Sequence, residues 1–225
     1  MVKLLLVSTS AGSMGGNPTG LWLAELAEPW FVFKEAGYEL VLASPAGGAI
    51  PVDCGSVKGD FFTEDAKKFM HDPEALDALF HSVKLDSVDL SEFDGMFIAG
   101  GHGCCVDGSA MKTAIETLYN AKKLVCADCH GPYALIDCVK EDGTPLVQGL
   151  AVTAFTNLEE EQAGATEWVK GNAKFMETVF KEQGAIFENA DPWNSHVAVA
   201  GNLVTCQNPQ SAMAGAKKCV EILSA

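Results

Sequence analysis

Cys129-His130-Gly131-Pro132 is the segment of this chain best equipped for covalent chemistry. It follows the apolar run Leu124-Val125-Cys126-Ala127. An apolar run that stops at a thiol and then turns through Gly and Pro reads as a strand ending in a sharp elbow. The elbow presents Cys129 at the carboxyl edge of a sheet, where open α/β sheets carry their sites. The nucleophile is a thiolate, so the surroundings of Cys129 are expected to lower its pKa below the free value of about 8.5. A helix starting after the elbow would contribute partial positive charge and free N–H groups, and His130 is adjacent as a base. The competing reading, one more small buried cysteine among eight, is ordinary for free Cys. The strand-elbow context favours the nucleophile.

Cys126-Ala127-Asp128-Cys129-His130 also matches the C-x-x-C redox and C-x-x-C-H haem patterns. Both need an accessible thiol at Cys126, which lies inside the apolar run and is expected to be buried, so both are set aside. Glu25 is the other residue of interest. Between Leu21 and Phe33 the charges are Glu25 and Glu28, and at helical spacing Glu25 meets Leu21, Trp22 and Pro29. Such a carboxylate either snorkels from a helix end or sits in a cleft with a raised pKa. Pro29 removes the N–H that would bond the Glu25 carbonyl, so a helix is kinked there or begins nearby.

The elements that position these residues alternate between strand-like and helix-like segments, the pattern of a parallel sheet covered on both faces. Strands are expected at residues 3–7, 39–43, 95–99 and 124–127, with a further short one at 151–154. A hairpin is expected from His196–Ala200 and Asn202–Thr205, turning at Gly201-Asn202. Helices are expected at residues 21–34, 72–81 (Asp72 as cap, Pro73 first), 110–120, 173–183 and 211–223. Gly100-Gly101-His102-Gly103 follows a strand, and its amides are placed to form an anion-binding nest. It carries neither dinucleotide fingerprint nor phosphate-loop spacing, and Ser13-Met14-Gly15-Gly16 is read as a flexible approach to the first helix.

The 225 residues are read as one domain, 1–225, because no Pro/Ser/Gly-rich linker divides them. With 48% hydrophobic and 20% charged residues a conventional core is expected. The formal charge of −15 argues against nucleic acid or an anionic membrane surface as partner. Leu4–Val7 is too short for a signal core and no stretch is long enough to span a bilayer, so a cytoplasmic setting with reduced thiols is expected.

The motifs together resemble the ThiJ/PfpI superfamily, a relative of the class I glutamine amidotransferases. Within it the chain is most similar to the glutathione-independent glyoxalase III branch of heat-shock chaperone-like proteins. The matching segments run in order along nearly the whole chain: Thr19-Gly20-Leu21-Trp22-Leu23-Ala24-Glu25 with Pro29, Gly100-Gly101-His102-Gly103 with Asp107, Cys129-His130-Gly131-Pro132, residues 155–160, and residues 201–209. The resemblance implies a flavodoxin-like open parallel sheet with helices on both faces and a Cys nucleophile elbow. It implies Cys129 as nucleophile, His130 as its partner, Glu25 as the acid touching the thiol, and Glu160 as the third member, with Glu159 as rival. Oxyanion donors map to the amides of Gly101 and His130. His102 either assists substrate binding or is a loop histidine bonded to backbone. Asp128, Cys104-Cys105 and Cys206 depart from the usual pattern, and Asp128 is expected to point away from the thiol, whose pKa it would otherwise raise.

The implied reaction converts methylglyoxal or a similar 2-oxoaldehyde to lactate through a Cys129 hemithioacetal, with His130 or Glu25 as base and no metal or organic cofactor. Competing readings are a Cys-dependent deglycase, amidase or peptidase, or a non-catalytic stress chaperone or redox sensor. The resemblance also implies a homodimer. Trp168, Trp193 and the stretch Trp30–Phe33 are either its surface or ordinary core.

Overall fold

The computed structural model describes residues 1–225. A seven-stranded sheet is built from β1 (Lys3–Val7), β2 (Glu39–Ser44), β3 (Val83–Lys84), β4 (Gly95–Ile98), β5 (Leu124–Asp128), β6 (Val197–Ala200) and β7 (Leu203–Cys206), in the order β6-β7-β5-β4-β1-β2-β3. All neighbours are parallel except the β6–β7 hairpin, which turns at Gly201-Asn202 as expected.

Strand alternation explains why two cores form. In β1, Leu4 and Leu6 face one layer while Leu5 and Val7 face the other. A strand buried on both faces has to be apolar throughout, and Leu4–Val7 of β1, all of β4 and the first four residues of β5 are. One layer holds α1 (Ala24–Glu35), α2 (Pro73–Phe80) and the C-terminal α6 (Ala212–Leu223). The other holds α3 (Lys112–Asn120) and α5 (Met176–Glu182). α4 (Asn157–Gln162) lies at the carboxyl edge of the sheet, where its acids reach the site.

Several boundaries differ from those expected, for physical reasons. The first helix starts at Ala24, because Leu21 is drawn into a bridge with Val52: its N–H donates to the Pro51 carbonyl at 2.8 Å and its carbonyl accepts from Asp53 at 2.8 Å. Pro29 lies inside α1, leaving the Glu25 carbonyl without its helical donor in the first two turns. Asp72 caps α2 as expected, accepting from Glu74 and Ala75. Ser13-Met14 pairs with Asn17-Pro18 in a small hairpin where a flexible approach was expected. Ala151-Val152 pairs with Ile186-Phe187 outside the main sheet.

The direction of chain travel reverses between β1 and β4, which lie side by side. The crevice beyond the carboxyl ends at such a switch point is where these sheets bind ligands. Asp107 ties the two crevice loops together, accepting from Thr9 Oγ1 at 2.8 Å and from the Ser10 N–H at 2.7 Å.

Candidate active site

Cys129 stands at the end of β5 with φ +56°. The left-handed region costs a non-glycine residue on the order of 1–3 kcal/mol and persists only where surrounding structure over-determines it. Here its N–H donates to the Cys206 carbonyl at 2.9 Å and its carbonyl accepts from the Phe155 N–H at 3.0 Å. The elbow is therefore clamped from both sides. Beyond it the chain makes only a short 3₁₀ turn, Gly131–Leu135, so the helix dipole anticipated behind the thiol is reduced to one tight turn.

The sequence places Cys129 and His130 side by side, and the strained turn brings their side chains together: Sγ lies 3.3 Å from Nδ1. His130 Nε2 is 2.9 Å from Glu160 Oε1, and His102 Nε2 is 3.2 Å from Glu160 Oε2. A carboxylate only accepts, so both Nε2 atoms carry the proton and the Nδ1 lone pair of His130 faces the thiol. The two imidazoles lie with centroids 3.8 Å apart. Burial, and then His102, push the His130 pKa down. Burial raises that of Glu160, but the two imidazoles outweigh it and hold the carboxyl at about 2. The resting arrangement is thus a neutral imidazole between a thiol and a carboxylate.

Glu159 and Glu160 are separated by one helical step and do different work. Thr156 caps α4, and the Glu159 side chain folds back to accept from the Thr156 N–H at 3.0 Å and its hydroxyl at 2.8 Å, a capping box. Its other oxygen accepts from Trp193 N–H, Gln207 Nε2 and Asn208 Nδ2. With Glu159 turned to that task, Glu160 is the acid that meets His130. The Thr-x-x-Glu signal for this assignment was present in the sequence.

Glu25 does not snorkel. It is fully buried, its Oε2 accepts from the Gly100 N–H at 2.9 Å, and its Oε1 has no hydrogen-bond partner. Burial, with the nearby Asp128 carboxyl, drives its pKa well up, so Glu25 is a neutral acid beside the Cys129 thiol. Gly100 is what lets these groups meet. A Cβ there would lie 2.4 Å from the Asp128 carbonyl, 2.5 Å from Glu25 Oε2 and 2.8 Å from the His130 nitrogen.

Two expectations about charge are corrected. Burial first, and then Glu25 and Asp128, push the Cys129 pKa well above the ordinary thiol value, the opposite of the lowering anticipated. Asp128 leaves the thiol's side of the strand, but alternation delivers it into the layer under α1 rather than to solvent. There it is fully buried with both oxygens unpartnered, and burial with the charge of Glu28 raises its pKa.

The backbone N–H groups of Gly101 and His130 donate to no acceptor within the chain, and both residues line a cavity of about 430 Å³ that opens over Cys129. Trp22, Phe61, Phe155, Trp168 and Trp193 all line it. Trp168 and Trp193 are thus cavity residues, and neither is ordinary core; Trp30, Phe31 and Phe33 are buried.

A family model described as the DJ-1/PfpI family matches residues 19–222. The chain belongs to the DJ-1/PfpI family. The Glyoxalase 3 of Candida albicans is 32% identical over 232 residues, covering 98% of each chain. The glutathione-independent glyoxalase hsp3101 of Schizosaccharomyces pombe is 32% identical over 98% of this chain and 95% of its own. The crystal structure of glyoxalase III from Candida albicans superposes with a TM-score of 0.90 at 31% identity, over 98% of this chain and 97% of that one. Rapid Encystment Protein 24 kDa of Francisella tularensis does so with a TM-score of 0.91 at 31% identity, over 99% of both.

In this DJ-1/PfpI chain the sequence-predicted residues Cys129, His130, Glu25, Glu160, Gly101 and His102 all meet at one place. His102 bonds to the Glu160 side chain rather than to backbone. The aromatic wall was missed, because Phe61 and Trp193 come from segments far from any motif. Ligand atoms of His102, His130 and Glu160 lie within 4.8 Å of one another, close enough to hold one cation. A metal ion there would have to displace both N–H donors that Glu160 accepts. No helix is long and apolar enough to cross a membrane.

Proposed function

We propose that this protein is a glutathione-independent glyoxalase, adding water across a 2-oxoaldehyde such as methylglyoxal to give lactate. The observation that carries the reading is the buried line Cys129–His130–Glu160 beside a neutral Glu25, with two unused amides across the same cavity. The full-length similarity to proteins named as glyoxalases supports it.

The thiol gives its proton to His130 Nδ1 as Sγ bonds to the aldehyde carbon, and the Glu160 carboxylate stabilises the imidazolium formed. The amides of Gly101 and His130 receive the oxyanion, which the imidazolium then protonates to give a hemithioacetal. His130, neutral again, removes the first carbon's proton and returns it to the second. Glu25, already protonated, donates to the second oxygen and recovers a proton from the first. The result is a lactoyl thioester on Cys129, and water displaces the thiol to release lactate. Every proton is carried by a group of the chain, so the scheme is cofactor-independent and classes the enzyme as a lyase of the lactate dehydratase type. A homodimer belongs to the same reading and rests on the resemblance; a cytoplasmic setting belongs to it too and rests on the sequence features given above.

Purified protein without glutathione is expected to consume methylglyoxal and form lactate stoichiometrically, with turnover lost in Cys129→Ala and Glu25→Gln. Full activity in Cys129→Ala would overturn the scheme. Inactive wild type would move the assignment to a hydrolase or thiol sensor.

A further inference from the structure

The cavity is far larger than methylglyoxal needs. Five heavy atoms, each granted a water molecule's share of about 30 Å³, occupy at most about 150 Å³. Roughly two thirds of the 430 Å³ remains beyond the reacting carbons.

Apolar surface dominates the lining of the cavity. Trp22, Phe61, Trp193 and Phe155 form a continuous run of rings, with centroids 5.0, 6.5 and 5.6 Å apart in succession. Their polar edges are mostly spent inside the protein. The Trp193 indole donates to Gln162 Oε1 at 2.6 Å and the Trp168 indole to the Met14 carbonyl at 2.9 Å. Only the Trp22 N–H is buried without an acceptor. Among the other polar side chains of the lining, Asp53 accepts from Thr19 and the Gly55 amide, and Gln162 accepts from Trp193 through Oε1 while its Nε2 stays free. The free backbone amides, those of Gly101 and His130, flank the thiol, whereas the rest of the lining is mostly carbon, with Asp53, Gln162 and the Trp22 indole N–H as its polar groups.

The wall is also built rather than collapsed. Trp193 is held at φ +64°, its N–H bonded to the fully buried Glu159 carboxylate at 2.9 Å while its ring is fixed by Gln162. A left-handed tryptophan needs such support. Its ring stands edge-on to Phe155, at 70° between planes, the contact geometry aromatic pairs favour, which fixes the orientation of the wall.

We infer that the preferred substrates are 2-oxoaldehydes whose ketone carries a large apolar, and best an aryl, substituent, seated against Phe61, Trp193 and Phe155. This rests on the glyoxalase reading. Apolar contact strengthens discrimination by about tenfold or more per well-seated group, so kcat/KM is expected to rise at least about tenfold from methylglyoxal to phenylglyoxal, through KM. An alkyl comparison, 2-oxohexanal against methylglyoxal, removes the electronic effect of conjugation and is expected to follow the same direction.

The test is steady-state kinetics on these three aldehydes with wild type, Trp193→Ala and Phe61→Ala, the last at a partly exposed position that keeps the fold. Either variant is expected to lose most of the phenylglyoxal advantage while losing less on methylglyoxal. Turnover of methylglyoxal with no gain for the larger aldehydes would overturn this inference and leave the glyoxalase reading standing. A gain in wild type that both variants retain would overturn the seat. Turnover of none of the three would defeat the glyoxalase reading itself.

Discussion

Replacing Glu160 by Gln keeps the shape of the side chain and removes the charge that the two imidazoles hold. Keeping that carboxyl at about 2 instead of its ordinary 4.5 corresponds to about 3 kcal/mol of preference for the carboxylate, at about 1.4 kcal/mol per tenfold. The group is nearly fully buried, so solvent screening takes little from it. A depressed folded-state pKa contributes stability that is present above 4.5 and lost as pH falls through about 2. Between pH 5 and pH 3 the wild type is therefore expected to lose about 2 kcal/mol that Glu160→Gln does not. Urea unfolding at a series of pH values, comparing the two proteins, reads this directly. The same interaction favours the imidazolium when His130 takes the thiol proton, so kcat is expected to fall about 100-fold with KM little changed. A stability gap between the two proteins that stays constant from pH 5 to pH 3, together with unaltered kcat, would refute the claim that Glu160 holds and charges His130.

Asp128→Asn removes a buried, unpartnered acid from beside Glu25 and Cys129, so the pH midpoint of iodoacetamide alkylation at Cys129 is expected to move down. Because the folded pKa of Asp128 is raised, its cost to stability grows as pH climbs above the ordinary carboxyl range, and the variant's advantage in thermal unfolding is expected to widen from pH 5 to pH 8. Glu159→Ala leaves the backbone N–H groups of Trp193 and Thr156 without their acceptor and takes one hydrogen bond each from the Gln207 and Asn208 amides, at about 1–3 kcal/mol for each group that water cannot reach. It is expected to raise KM more than it lowers kcat, with Trp193 fluorescence shifting to the red. A pure loss of kcat would mean that Glu159 acts on the chemistry.

The parallel sheet was legible in the sequence because β1, β4 and β5 have to be apolar on both faces, and the elbow because Cys129-His130-Gly131-Pro132 ends such a run. The start of α1 was not legible: the bridge between Leu21 and Val52 joins residues far apart in sequence and overrides local helix propensity. Charge at the site was misjudged for a related reason. A lone thiol suggests a lowered pKa, whereas here three acids, Glu25, Asp128 and Glu28, lie close together under the elbow, an arrangement created by the contact of α1 with the end of β5. The ambiguity between Glu159 and Glu160 was legible after all, through Thr156, since a capping box assigns the acid three residues on to the helix terminus. The aromatic wall was not, because Phe61 and Trp193 meet only through tertiary contact.

The division of labour between Glu159 and Glu160 makes this stretch sensitive to length rather than to composition. Each residue added or removed turns a helix by about 100°. A single insertion between Thr156 and Glu159 would carry Glu159 toward the imidazoles and leave Trp193 and the 207–208 segment without their acceptor. A substitution at an exposed position of α4 leaves this register intact, whereas a length change anywhere between Thr156 and Gln162 displaces a group the site uses. Anyone transplanting this site to another scaffold has to move Thr156 through Glu160 as one piece, with the cap, or the acid that meets His130 arrives on the wrong face.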